Sequence, residues 1–138
     1  TDIVMMLNGA LAGLVAITAE PLTPGPITAM FIGSIGAIIM YFGTKMLESY
    51  GLDDVVGAIP VHMFAGIFGT LVVPLTNPDT SFGTQFIGTA SVCIFSFGLS
   101  WLTFTALKST IGLRISKAAE KLGTDKAEVG VTAYSIRD

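Results

Sequence analysis

Charge is scarce in this chain and unevenly placed. Only 12% of its 138 residues are charged, against about 25% in soluble domains, so there is too little polar cover for a water-facing fold. Between Ile3 and Leu107 the charged residues are Glu20, Lys45, Glu48, Asp53, Asp54 and Asp79, each at the edge of an apolar block. Cysteine is scarcer still. Cys93 stands alone, which excludes a disulfide framework. With one cysteine and one histidine, His62, no metal-ligand cluster is available, and neither a metal nor a cofactor is expected. A Gly-rich phosphate loop, a nucleophile elbow and a basic nucleic-acid stripe are all missing. Nucleic acid is therefore not an expected partner, and no enzyme reading survives.

What the chain has instead is long apolar runs. Uncharged blocks cover residues 3–19, 26–44, 55–75 and 86–107, and roughly 20 apolar residues suffice to cross a bilayer. The pattern predicts an all-α membrane protein, with four transmembrane helices in residues 1–107 and a polar tail in 108–138. The first block is slightly short and opens at the chain start, so further sequence is expected upstream. No basic stretch precedes that block, and no soluble domain follows a small-residue cleavage site, which argues against a signal peptide. All seven lysines and arginines lie in the 45–54 loop or beyond residue 107, and none in the 20–25 and 77–85 loops. The positive-inside rule then places the tail in the cytoplasm. The net charge of −3 says little beside this distribution.

In the first block Gly9 and Gly13, with Ala10, Ala12 and Ala16, have the spacing that lets helix backbones approach closely. Asn8 reads as an interhelical hydrogen bonder, a direct pore role being the lesser alternative. Gly33, Gly36 and Ala37 form a second small face, and Tyr41 and Trp101 sit where interfacial aromatics belong. The "EPLTPGP" connection is a tight outer turn. Its Glu20 reads as a solvated loop carboxylate, or alternatively as a charge that draws cations to the outer mouth. The scattered methionines are packing filler. In the tail, Ile111, Leu113, Ile115, Ala118, Ala119 and Leu122 predict a short amphipathic helix closed by Gly123. Asp125 to Glu128 has capping-box spacing with Asp125 in the cap position. Gly130 permits a bend, and Tyr134 would dock its ring on a neighbouring surface. The competing reading is a frayed terminus.

His62 is the only titratable group inside an apolar run. Asp53 and Asp54 precede that run, where carboxylates cap free N–H groups and complement the helix dipole. Pro60, read as lying inside the helix, would displace the bond to the Val56 carbonyl and kink the segment. Helical spacing puts Val55, Ala58, Ile59, His62, Ala65, Gly66, Gly69 and Val73 on one stripe. Desolvation there would favour the neutral imidazole, which still needs partners for one donor and one acceptor. The ring is either part of a pathway or a structural group bonded to a neighbouring helix.

The segments "NGALAGLVAITA" and "LDDVVGAIPVHMFAGIFGTLVVPLTN", with the closing Gly123-x-Asp125-x-x-Glu128-x-Gly130-x-x-Ala133-Tyr134 pattern, resemble the C-terminal part of the ammonium transporter (Amt/Mep/Rh) family, in a bacterial form. The resemblance runs over essentially the whole chain. It implies the last four helices of an eleven-helix, homotrimeric transporter of ammonium or ammonia in the bacterial inner membrane. His62 would be one of two pore histidines, with Ala58, Ile59 and Gly66 beside it on the pore face. Asp54 would be the structural or gating acid at the inner start of this helix. Gly123, Asp125, Glu128, Gly130 and Tyr134 would form a regulatory tail that receives a PII-type signal protein. Met63 and Pro60 stand where many members have glycine, Gly57 where some have Asp, and Val129 where many have His. Two alternatives stand beside the transporter: an ammonium sensor of the same fold, and an unrelated four-helix membrane subunit with a structural histidine.

Overall fold

A computed structural model describes residues 2–133, and every regular element among them is helical. The chain forms two compact units, Thr1–Ile94 and Phe95–Asp138. Helix α1, Ile3–Ile17, begins where the Asp2 carboxylate accepts from the Met5 N–H at 3.1 Å. Helix α2, Pro26–Ser49, starts on a proline, which has no N–H to leave orphaned in a first turn. It runs past the apolar block expected to end at 44. Lys45 and Glu48 continue it as an exposed i,i+3 ion pair at 3.0 Å.

The third helical segment differs from the expectation. Residues 55–57 form a turn rather than a first helical turn. Gly57 has φ +72°, a conformation that a helix does not accept and that glycine adopts without strain. A π-helical turn, Ile59–Phe64, is followed by α3, Ala65–Val72, and a 3-10 turn, Val73–Leu75. Pro60 therefore sits in the first turn, where proline is tolerated, and not in a helix interior. The buried positions are Gly57, Pro60, Val61, Ala65, Gly69 and Val73, and all but Pro60 recur every four residues. The predicted single stripe thus divides, with Ala65, Gly69 and Val73 inward and Val55, Ala58, Ile59 and His62 exposed. A π-turn holds more residues per turn than the α-helical spacing assumes, so it shifts the faces of the residues downstream of it.

Backbone proximity sets the packing of this unit. A Cβ on Gly13 would lie 3.1 Å from the Gly33 carbonyl oxygen, and one on Gly36 would lie 2.6 Å from Ala16 Cβ. Gly9 meets Met40, Ala12 meets Gly36 and Gly13 meets Gly33, so α1 and α2 run antiparallel. Gly69 presses on the Ala16 backbone and Gly66 on Val15, so α3 runs parallel to α1. Of the predicted glycine pair only Gly13 makes a backbone approach. Gly9 faces the Met40 side chain at ordinary contact distance, 3.7 Å. Ala12, Met40, Val61 and Ala65 form the core cluster, with Met5 and Val15 packed against it.

Helix α4, Phe82–Thr110, contains the boundary between the units and has no buried residue. In the second unit the expected amphipathic helix is shorter than its apolar pattern. Gly112, at φ +82°, interrupts 111–115. Ser116 then opens α5, Lys117–Leu122, its hydroxyl accepting from the Ala119 N–H at 3.2 Å. Gly123 ends it at φ +95°, and a π-helical turn covers Asp125–Val129. Helices α2 and α4 are long and apolar enough to cross a membrane, whereas Ile3–Ile17 and Ile59–Leu75 are shorter apolar segments.

Candidate functional site

The site is built on the start of the His62 segment. Asp54 holds it from below: Oδ1 accepts from the Ala58 N–H at 2.9 Å and Oδ2 from the Ile59 N–H at 2.8 Å. Residue 60 is proline, and the Val61 N–H bonds the Gly57 carbonyl at 3.1 Å. Every N–H at this helix start therefore has a partner, two of them on one carboxylate. Asp53 makes no such bond among the described residues.

The carbonyls are the harder problem. With Pro60 lacking an N–H and Val61 committed to Gly57, Val56 O has no helical donor. Asn8 Nδ2 supplies one from α1 at 3.0 Å. Gly57 lies directly under that amide: a Cβ there would stand 2.6 Å from Asn8 Nδ2. The interhelical role read for Asn8 is what the geometry shows, although nothing in the sequence pattern points to Val56 as its partner.

His62 projects from this anchored turn. Its neighbour Val61 is buried in the core, and the imidazole faces the other way, exposed beside Ala58, Ile59 and Met63. Gly66, one turn on, is half-buried. Among the described residues no side chain exchanges a hydrogen bond with His62. His62 is thus a polar ring on an exposed apolar face, carried by a helix start whose N–H groups are bonded. Near the same helix start a cavity of about 260 Å³ is lined by Glu48, Asp53, Asp54, Gly57 and Pro60, among others.

Glu20 lies at the opposite end of the unit, and it is engaged. Asn77 Nδ2 donates to its Oε2 at 2.7 Å, and the Leu22 N–H donates to Oε1 at 3.3 Å. Asn77 holds its carboxyl below the ordinary carboxylate range, partial desolvation opposing this, with smaller help from the Leu22 and Thr23 N–H groups. Sequence reasoning missed Asn77, because nothing local marks a turn asparagine as the partner of a carboxylate 57 residues away.

The tail clasp also differs from its expectation. Thr124, not Asp125, occupies the cap position, and it makes no side-chain cap bond. Asp125 instead turns forward and accepts from the Ala133 N–H at 2.8 Å, enclosing the bend at Gly130, φ +75°. That bond, then the Lys126 N–H, holds the Asp125 carboxyl below its ordinary range. Gly123 is required beside it, since a Cβ would lie 2.6 Å from Asp125 Oδ1. Glu128 is exposed, and Tyr134 lies outside the described residues.

Long apolar helices, backbone-to-backbone seams and a lone histidine on an apolar face define an α-helical membrane protein. Residues 1–134 match the Ammonium Transporter Family. The chain belongs to that family, the Amt/Mep/Rh ammonium transporters. It is 38% identical over 154 residues to an ammonium transporter of Archaeoglobus fulgidus, covering 96% of this chain and 33% of the relative. An ammonium transporter of Methanocaldococcus jannaschii is 33% identical over 141 residues, covering 96% of this chain and 34% of its own. One of Corynebacterium glutamicum is 32% identical over 145 residues, with 94% and 32% covered. The chain thus spans about a third of the length of these relatives.

Proposed function

We propose that this chain forms one wall of an ammonium or ammonia pathway through a bacterial inner membrane. In this reading its four apolar segments are the last four spans of an eleven-span transporter that assembles as a homotrimer, with the tail in the cytoplasm. The observation that carries the reading is His62: a single polar ring on an exposed apolar face, on a helix start in which every N–H is bonded. The names of the relatives support the substrate class.

The chemistry follows from solvation. Moving a bare ammonium ion into an apolar lumen costs on the order of tens of kcal/mol by the Born estimate. Ammonia is far less costly to desolvate. A neutral imidazole carries one donor and one acceptor, so a pair of them can pass a proton while the neutral molecule moves along the apolar wall. His62 supplies one ring, and the second comes from outside this chain. Ala58, Ile59 and Gly66 supply the apolar surface beside it, and Asp54 keeps the helix start fixed. Gly123, Asp125, Glu128, Gly130 and Tyr134 form a cytoplasmic surface for a PII-type signal protein.

The test is methylammonium uptake by the full-length protein carrying His62→Ala. Uptake or ion selectivity should change strongly while the protein still reaches the membrane. Wild-type values for both would leave His62 a structural residue. Residues 1–138 alone, reconstituted in liposomes, should match empty vesicles, because one wall does not enclose a pathway.

A further inference from the structure

We propose that Asn8 is the positioning residue of this site: its amide sets the direction in which His62 points, because the positive φ of Gly57 turns the Val56 carbonyl out of its own segment and leaves Asn8 as its donor. The inference rests on the pore reading for its effect on flux, but its structural half stands on geometry alone.

Three observations converge. Val56 O has no donor within its own segment, since residue 60 is proline and the Val61 N–H is taken by the Gly57 carbonyl. Asn8 Nδ2 fills the gap at 3.0 Å from a different helix, 48 residues away in sequence. Gly57 has no Cβ at the point where one would meet that amide at 2.6 Å, and its φ of +72° turns the chain into the π-turn. Asn8 and Gly57 are thus one device: glycine turns the Val56 carbonyl out of the segment and opens the space, and asparagine closes the bond.

A carbonyl turned toward a neighbouring helix and left without its donor carries a desolvation cost. Without Asn8 the 55–57 turn must rearrange until Val56 O finds another donor. That turn leads directly into Ile59–Phe64, so its rearrangement rotates the segment bearing His62. Val61, buried in the core on the opposite side of the same turn, acts as the pivot. Asp54 holds Ala58 and Ile59 to the turn but makes no bond to α1, so it does not replace the tie.

The test compares wild type, Asn8→Ala, Gly57→Ala and the double variant in the full-length protein. Two readouts are taken: the nitrogen-15 signals of the His62 ring, assigned by their loss in His62→Ala, and methylammonium uptake. Asn8→Ala should shift the His62 signals and lower maximal uptake on the order of tenfold, with little change in apparent affinity, as misorientation of a reacting group does. Gly57→Ala places a methyl group where it displaces the Asn8 amide, and it should shift the His62 signals as well. Removing Asn8 in that background should shift the signals little further and lower uptake less than about twofold more, because the tie is already broken. Unmoved His62 signals in Asn8→Ala, or equal effects in both backgrounds, overturn the proposal. Signals shifted in Asn8→Ala and little further in the double variant, with wild-type uptake in His62→Ala, would uphold the positioning by Asn8 and remove the pore reading instead.

Discussion

Asn77 and Glu20, 57 residues apart, share a 2.7 Å hydrogen bond that ties the α1–α2 turn to the loop before α4. The carboxylate oxygen accepts and the amide donates, so the bond does not require the full charge. Glu20→Gln should therefore keep the tie, with unchanged apparent affinity for methylammonium at low and high salt. Glu20→Ala should open the turn and speed amide exchange at Leu22. A loss of affinity in Glu20→Gln confined to low salt would instead give the charge a role in drawing cations to this end.

The pH dependence of the same tie has a defined sign. The folded Glu20 carboxyl lies below its ordinary value, Asn77 being the first cause. Its contribution is fully present above the unfolded pKa of about 4.3. It is lost as pH falls through the lower folded value. Protection of the Leu22 amide, measured against the intrinsic rate at each pH, should be present at neutral pH and fall on acidification through that window. Glu20→Gln should flatten the profile; a fall of equal size in that variant would assign the acid sensitivity elsewhere.

Asp54 accepts two N–H groups at once, at 2.9 and 2.8 Å. Asp54→Ala should destabilise the protein by about 1–2 kcal/mol, the upper range for a lost cap. Asp54→Asn retains one acceptor and should lose about half as much. Thermal unfolding in detergent reads both. Equal, negligible shifts would mean that the cap carries little weight beside the tertiary packing.

In the tail, Asp125 accepts from the Ala133 N–H, and its carboxyl is held below the ordinary range mainly for that reason. Protection of the Ala133 amide should be present at neutral pH and vanish as pH falls through the folded Asp125 pKa. It should be lost at every pH in Asp125→Ala. If residues 123–133 exchange within seconds in the full-length wild type, and a variant ending at Leu122 transports normally, the regulatory reading of the tail fails.

Part of this arrangement is legible in residue types alone. Helix content, the small-residue seams and the capping role of Asp54 follow from apolar runs, glycine and alanine spacing, and a carboxylate before a helix. The interhelical character of Asn8 is equally legible, since a lone amide in an apolar helix needs a partner. Its partner is not, because that depends on Gly57 adopting a positive φ, which unwinds residues 55–57 and moves Pro60 from helix interior to first turn. The single stripe through His62 fails for the same reason: 3.6-residue spacing does not hold across a π-turn. Asp125 has the spacing of a local cap, yet its bond reaches forward eight residues to a backbone group, and such a clasp leaves no periodic trace. The Glu20–Asn77 tie is beyond pattern reading altogether.

The Gly13–Gly33 and Ala16–Gly69 contacts have a mechanical consequence. A seam closed by side chains breathes, because those side chains change rotamer on fast timescales. Where carbonyl meets α-carbon there is no rotamer to change. The packed unit that carries His62 is in this sense cast rather than assembled, its spacing set by the peptide backbone. If the proposed pathway runs along this unit, it has a wall of fixed width, a gauge block rather than a cushion.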